Sequence, residues 1–283
     1  GFAITTGAYN RFLQSEGLRD EILKLLREAQ PDAPATVVAV SESIFRTIDR
    51  VSVPRDIMDA LLHAWDTTFP EPEVARAALR SSAISEDGVL SFSGQYRTIL
   101  GVTRSTLESA FREVLASLFS PRAIPYRIHH GVSFDQCAMG MACIEMVDAE
   151  SSGIIFSRHP VNPLSDEMVL NAIWGLGAYA VDGIIEPDTW NIRPGSPPVI
   201  TTTYVADKSV RLVSDATGKH EEPVPEEFRR KPCIDTEHVL ELARIAATLE
   251  AHYHHPQDIE WALDKNGRIM ILQSRPMRLA SVH

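Results

Sequence analysis

Four residues near the C-terminal end bring the most reactive groups into the shortest stretch: Asp258, Glu260, Gln273 and Arg275. They lie in two runs of alternating character on either side of Asn266-Gly267. Asn-Gly is a strong hairpin signal, because a type I′ turn needs φ > 0 at both central residues. Side chains on a strand alternate between faces. Asp258 and Glu260 therefore share one face of the first strand, and Ile259, Trp261 and Leu263 the other. On the second strand Ile271, Gln273 and Arg275 share a face, and Met270 and Leu272 the other. With Asn266 and Gly267 as the two loop residues, Lys265 is expected opposite Arg268, Glu260 opposite Gln273, and Asp258 opposite Arg275. Two carboxylates, an amide and a guanidinium then converge on one patch. One reading is a solvent-facing strand surface with a cross-strand ion pair, worth about 0.2–1 kcal/mol. The other is a site for a metal and a phosphate. Hard cations take oxygen ligands from Asp, Glu and amide carbonyls, and Arg holds phosphate oxygens in a bidentate fork.

The elements that must position this patch belong to a chain of 283 residues, a length that favours about two domains. Hydrophobic content of 44% and charged content of 23% are those of a globular protein. The formal net charge is −11, with no long Lys/Arg cluster, which argues against nucleic acid or an anionic membrane as partner. No apolar run approaches the ~20 residues of a membrane span. The cysteines, Cys137, Cys143 and Cys233, are odd in number and lack a Cys-x-x-Cys pair. Free thiols in a reducing cytoplasm are the expectation, rather than disulfides or a zinc site. His252, His254 and His255 precede Pro256 at a helix end and are expected to serve the last carbonyls rather than a metal.

The first half reads as mainly helical. Periodic apolar positions mark helices within the first 30 residues, from about Thr36 to Ile48, and from Pro54 through Trp65. A segment rich in Ser and Gly follows. Ser81, Ser82, Ser91, Ser93 and Gly94 offer donors and close backbone approach to a phosphate chain, or simply form a turn. Leu107 to Phe119 is an amphipathic helix, and an apolar strand runs from Ala138 to Val147 with Glu145 as its one charge. Strands are expected at 151–160, 167–174 and 189–192, with Gly175-Leu-Gly177 opening a short helix. Polar strands follow from Val199 to Val213, then a Glu/Pro linker from Glu221 to Pro232. The last helix, Glu237 to Tyr253, is apolar at Leu240, Leu242, Ala243, Ile245, Ala246 and Leu249, and Asp235 or Thr236 is its N-cap. The fold class is α+β, with two lobes expected at 1–147 and 148–283.

Five motifs in this order resemble a known family: Arg80-Ser-Ser-Ala-Ile-Ser-Glu-Asp87 with Phe92-Ser-Gly-Gln95; Ser152-Gly-Ile-Ile-Phe156; Gly175-Leu-Gly177 with Gly183 and Pro187-Asp188; Asp258-Ile-Glu-Trp261; and Leu272-Gln-Ser-Arg-Pro276. Together they are similar to the nucleotide-binding part of the phosphoenolpyruvate synthase and pyruvate phosphate dikinase family, rifampicin phosphotransferases included. The resemblance implies an ATP-grasp fold with ATP in the cleft between two lobes. It implies that Arg80 contacts the phosphates, that Gly94 and Thr98 lie against the triphosphate, and that Glu145, Met146 and Val147 hold the adenine edge through backbone groups. It also implies that Glu260 and Gln273 hold Mg²⁺, that Arg275 reaches the terminal phosphates, and that Asp258 supports the site.

Phosphoryl transfer asks a protein mainly for positioning and charge neutralisation, which suits these residue types. In the family a His on a mobile domain accepts the terminal phosphoryl or pyrophosphoryl group and serves pyruvate or another acceptor. A phosphate-binding Lys lies in a Gly-rich stretch upstream. None of the ten His sits in such a motif, and neither the Lys stretch nor an acceptor domain is in this sequence. The expectation is therefore the ATP-binding part of a phosphoenolpyruvate-synthase-like phosphotransferase, partnered by a phosphohistidine domain and an acceptor-binding domain. The alternative is an ATP-sensing module that regulates a partner without turnover.

Overall fold

The computed structural model describes residues 1–83, 96–134, 137–162, 164–181, 183–215 and 218–277. Of the residues of the Ser- and Gly-rich segment, Ser91, Ser93 and Gly94 lie outside them. The chain divides into two compact units, Gly1–Met146 and Val147–His283. The class is α+β.

The first unit contains β1 (Phe2–Ile4), α1 (Thr6–Leu13), α2 (Leu18–Leu26), α3 (Pro34–Arg50), α4 (Arg55–Thr68), β2 (Ala77–Ala83), β3 (Thr98–Val102), α5 (Leu107–Ala116), α6 (Ala123–His129) and β4 (Met139–Glu145). Pro34 opens α3, where its missing N–H costs no hydrogen bond. Gly17, at φ +69°, turns the chain from α1 into α2. The four strands pair antiparallel in the order β1-β4-β2-β3. Helical Phe12, Ile44, Phe111 and Val114 form one core with Leu79 of β2, Val102 of β3 and Met139, Met141 and Cys143 of β4. By alternation, Arg80, Thr98 and Ala142, which stand opposite one another across β2, β3 and β4, fall on the face away from that core.

The second unit contains β5 (Ala149–Phe156), β6 (Met168–Trp174), α7 (Ala178–Val181), β7 (Asp188–Arg193), β8 (Val199–Tyr204), β9 (Val210–Asp215), β10 (Gly218–Pro223), α8 (Glu226–Arg229), α9 (Thr236–Tyr253), β11 (Gln257–Asp264) and β12 (Ile269–Pro276). Six strands form an antiparallel sheet in the order β12-β11-β5-β6-β7-β8, and β9 and β10 form a separate ribbon. Helix α9 covers one face of the sheet. Its Val239, Leu242, Ala243 and Ala246 pack with Ile155, Leu170, Trp190, Ile259 and Trp261. Val239, rather than Leu240, takes the buried position at the start of the helix. Asp235 is the N-cap, its carboxylate accepting the His238 N–H at 2.9 Å. Gly153 lets the sheet close here, since a Cβ on it would stand 1.8 Å from the Asn171 carbonyl oxygen and 3.0 Å from the Trp261 ring.

The expected linker from Glu221 to Pro232 is not a plain loop. Glu221 and Glu222 lie on β10, where Glu221 accepts from the Tyr179 hydroxyl and Glu222 from Arg211 Nη2 at 2.8 Å. Glu221 and Glu222 are held because one carboxylate finds a partner on α7 and the other across the ribbon. A fully buried ion pair fastens β7 to the segment ahead of α9. Asp188 accepts from Lys208 Nζ at 2.5 Å and from the backbone N–H groups of Ala206 at 2.9 Å and Cys233 at 2.8 Å. Among the described residues no helix is long and apolar enough to cross a membrane.

Candidate functional site

The hairpin of β11 and β12 carries four of the expected site residues, and its turn differs from expectation. Asp264 organises it. Its N–H donates to the Arg268 carbonyl at 3.0 Å, and its own carbonyl accepts the Gly267 N–H at 2.9 Å. Its Oδ1 accepts the backbone N–H groups of Asn266 at 2.8 Å and Arg268 at 2.9 Å, while Oδ2 accepts Arg268 Nε at 2.8 Å. Within the turn only Gly267, at φ +74°, is left-handed. The loop is therefore Lys265-Asn266-Gly267, three residues closed by a left-handed glycine, and not a two-residue type I′ turn. The Asp264 side chain captures the turn amides and fixes this form.

Next to the turn the pairing is shifted by one. Leu263 faces Ile269, Ala262 faces Met270, and Trp261 faces Ile271. A bulge at Leu272 then restores the count, so that Glu260 faces Gln273 and Asp258 faces Arg275. Ile271, expected on the Gln273 face, stands opposite Trp261 instead. Ile259, Trp261 and Leu263 belong to the α9 core, so alternation turns Asp258 and Glu260 to the face away from α9. Gln273 and Arg275, as their cross-strand partners, share that face.

Arg275 Nε and Nη2 both lie 2.8 Å from Asp258 Oδ2. The Asp258 side chain is 12% exposed, and its Oδ1 is buried with no hydrogen-bond partner among the described residues. Burial raises the Asp258 carboxyl above its ordinary value. Arg275 pulls it back, and the nearby charge of Glu260 adds to the rise. Gln257, fully buried at the start of β11, anchors the pair. Its N–H donates to Ser157 Oγ at 2.8 Å, and its Oε1 accepts from Ser274 Oγ at 2.7 Å, so β11 is tied to both neighbours one residue before Asp258. Gln257 is not legible as a site residue in the sequence. Its only signal was a polar residue at the head of an apolar strand.

In the first unit, Arg80 of β2 stands opposite Thr98 of β3, which joins two motifs separated by 18 positions. Glu145 closes β4 opposite Ala77 and is exposed. Met146 donates its N–H to the Arg76 carbonyl at 2.9 Å, and its Sδ lies 2.9 Å from the Gly101 N–H. Val147 begins the second unit. The structure thus brings together Arg80 and Thr98 in one unit and Asp258, Glu260, Gln273 and Arg275 in the other. Glu145 and Met146 lie at the end of β4, and Gly94 lies outside the described residues.

Among the described residues no three His, Cys, Asp or Glu side chains gather as a metal cluster. The hairpin offers a different donor set: one carboxylate from Glu260, one amide oxygen from Gln273, and the unfilled Oδ1 of Asp258 close by. A hard ion that keeps water and phosphate oxygens and takes few from protein fits this set, and Mg²⁺ is such an ion. Zinc, which prefers four Cys, His or carboxylate ligands in a closed shell, does not.

The family described as pyruvate phosphate dikinase, AMP/ATP-binding domain, matches residues 1–282. A probable phosphoenolpyruvate synthase of Methanocaldococcus jannaschii is 32% identical over 282 residues, covering 98% of this chain and 24% of that protein. The phosphoenolpyruvate synthase of Escherichia coli is 33% identical over 295 residues, covering 99% of this chain and 37% of its own. A rifampicin phosphotransferase of Streptomyces sp is 32% identical over 281 residues, covering 98% of this chain and 32% of its own. The chain thus spans well under half the length of these relatives.

Proposed function

The chain belongs to the pyruvate phosphate dikinase AMP/ATP-binding domain family, and from that premise we propose that it binds Mg-ATP and delivers a terminal phosphoryl or pyrophosphoryl group to a His on a separate domain. That His then serves pyruvate or a related acceptor. One observation carries the reading. Arg80 and Thr98 in the first unit, and Asp258, Glu260, Gln273 and Arg275 in the second, stand on the sheet face turned away from the helical core, and the buried Oδ1 of Asp258 has no partner among the described residues.

In this reading Arg80, Gly94 and Thr98 meet the phosphates. The backbone at Glu145, Met146 and Val147 meets the adenine edge. Glu260 and Gln273 hold Mg²⁺, and Arg275 reaches the terminal phosphates while Asp258 fixes its guanidinium. Mg²⁺ bound there would neutralise charge on the phosphate oxygens. The two arginines supply fixed positive charge in a protein of net charge −11 and need no reorganisation as charge shifts during transfer. Strands β2 and β3 position Arg80 and Thr98, and strands β11 and β12 position Asp258, Glu260, Gln273 and Arg275; positioning is the larger part of what phosphoryl transfer requires.

The test has two stages. The 283-residue chain is titrated calorimetrically with Mg-ATP, and then incubated with Mg-ATP and the phosphohistidine domain of a relative. The expected result is saturable binding followed by an acid-labile phosphohistidine. No binding overturns the nucleotide site. Binding without phosphohistidine overturns the transfer and leaves an ATP-binding module.

A further inference from the structure

Strand β6 reads Met168-Val-Leu-Asn-Ala-Ile-Trp174, six apolar residues interrupted by one amide. Met168, Leu170 and Ala172 belong to the α9 core, so Asn171 faces the other way, to the side that carries Asp258 and Glu260. The registers place it more closely. Gln273 faces Glu260, Glu260 faces Ile154, Ile154 faces Asn171, and Asn171 faces Thr189. The five residues form one row across the sheet, with Asn171 two strand spacings, about 10 Å, from Glu260.

The amide is oriented. Thr189 Oγ1 donates to Asn171 Oδ1 at 3.0 Å, which ties the oxygen end of the amide to β7 and leaves the Nδ2 protons as the donors on offer. No group among the described residues accepts from Nδ2. An oriented N–H on a half-buried face calls for an acceptor rather than a cation.

We propose that Asn171 is a further nucleotide-binding residue, donating its side-chain N–H to a phosphate oxygen of the bound nucleotide, with Thr189 as the residue that positions it. The assignment rests on the Mg-ATP reading above. It differs from the arginines in kind: a neutral donor, held at a fixed angle, selects position along the polyphosphate rather than adding charge.

Calorimetric titration of the 283-residue chain with Mg-ATP tests it. Asn171→Ala is expected to weaken binding by about tenfold, the scale of one hydrogen bond to a charged acceptor. Asn171→Asp sets a negative charge against the phosphate and is expected to weaken it further, by about a hundredfold. Thr189→Val keeps the amide but frees its orientation, and is expected to cost severalfold. Each variant should melt within a few degrees of the parent. In the unaltered chain, the Asn171 side-chain amide resonances should shift on saturation with Mg-ATP, a readout that depends on no variant folding. If the parent chain does not bind Mg-ATP, the functional reading itself fails. If it binds and the Asn171 amide resonances stay put, or Asn171→Ala binds as well as the parent, this assignment alone is overturned. Asn171→Asp binding as tightly as Asn171→Ala would overturn the phosphate as acceptor.

Discussion

Arg275 spends both Nε and Nη2 on a single oxygen of Asp258, Oδ2, at 2.8 Å each, while the other oxygen of that carboxylate is buried with no partner among the described residues. The pair is therefore asymmetric: the guanidinium is fixed on one side, and acceptor capacity is left over on the other. A buried acceptor without a donor costs on the order of 1–3 kcal/mol, and here burial raises the carboxyl above its ordinary range.

That rise sets a pH dependence. The folded chain holds the Asp258 proton more tightly than the unfolded chain does. This group's contribution to stability is therefore fully present below the ordinary Asp value of about 3.9 and is lost as pH rises through the higher folded value. Protonation also weakens its hold on Arg275. Mg-ATP affinity is expected to fall on the acid side, beginning above the ordinary Asp value, and Asp258→Asn should remove that inflection. Affinity measured from pH 4 to 7 in both proteins checks it. A parent curve that is flat down to pH 4 counts against the coupling.

Glu260 and Gln273 face each other across the hairpin and supply the two protein oxygens assigned to Mg²⁺. Glu260→Ala and Gln273→Ala are each expected to weaken Mg-ATP binding by roughly tenfold at limiting Mg²⁺, with melting temperatures near the parent's. Wild-type affinity in both variants would remove the metal assignment.

Arg80 stands opposite Thr98 on the face away from the helices. Arg80→Ala is expected to lower the rate of phosphohistidine formation by about 10²–10³, the scale for loss of one preorganised charge stabiliser. Single-turnover labelling of the His domain reads this rate. A loss confined to nucleotide affinity would place Arg80 in ground-state binding instead.

Asp188 belongs to the fold rather than to the site. Fully buried, it accepts from Lys208 and from two backbone N–H groups. Asp188→Asn leaves the Lys208 charge without a counterion and is expected to cost about 3–5 kcal/mol. Denaturant unfolding measures it, and a cost below about 1 kcal/mol would show that Lys208 finds another partner.

The alternation of Asp258, Glu260, Gln273 and Arg275 was legible because period-two patterning fixes the face of a strand whatever surrounds it. Helix α9, with its Asp235 cap, was legible for the same kind of local reason. The turn was not. Asn266-Gly267 favours a two-residue loop, and the Asp264 side chain, reaching three backbone or side-chain nitrogens, decides for three. Nor was Asn171 legible as more than a polar residue in a strand. Its importance depends on registers across three neighbouring strands, which no local pattern encodes. The acidic run at Glu221 and Glu222 misled because its partners depend on pairing: Arg211 stands opposite Glu222 only once β9 and β10 pair, and Tyr179 lies 42 residues before Glu221.

The bulge at Leu272 has a mechanical consequence. A two-residue turn with an unbroken ladder, and a three-residue turn with one surplus residue, arrive at the same partners for Glu260 and Asp258. What changes between them is which residues between the turn and Gln273 lie opposite Asp264, Leu263, Ala262 and Trp261. Leu272 thus works as slack in the edge strand. It insulates the far end of the hairpin from its tip, so the tip can lengthen, shorten or change its turn type over evolution while Asp258, Glu260, Gln273 and Arg275 keep their alignment.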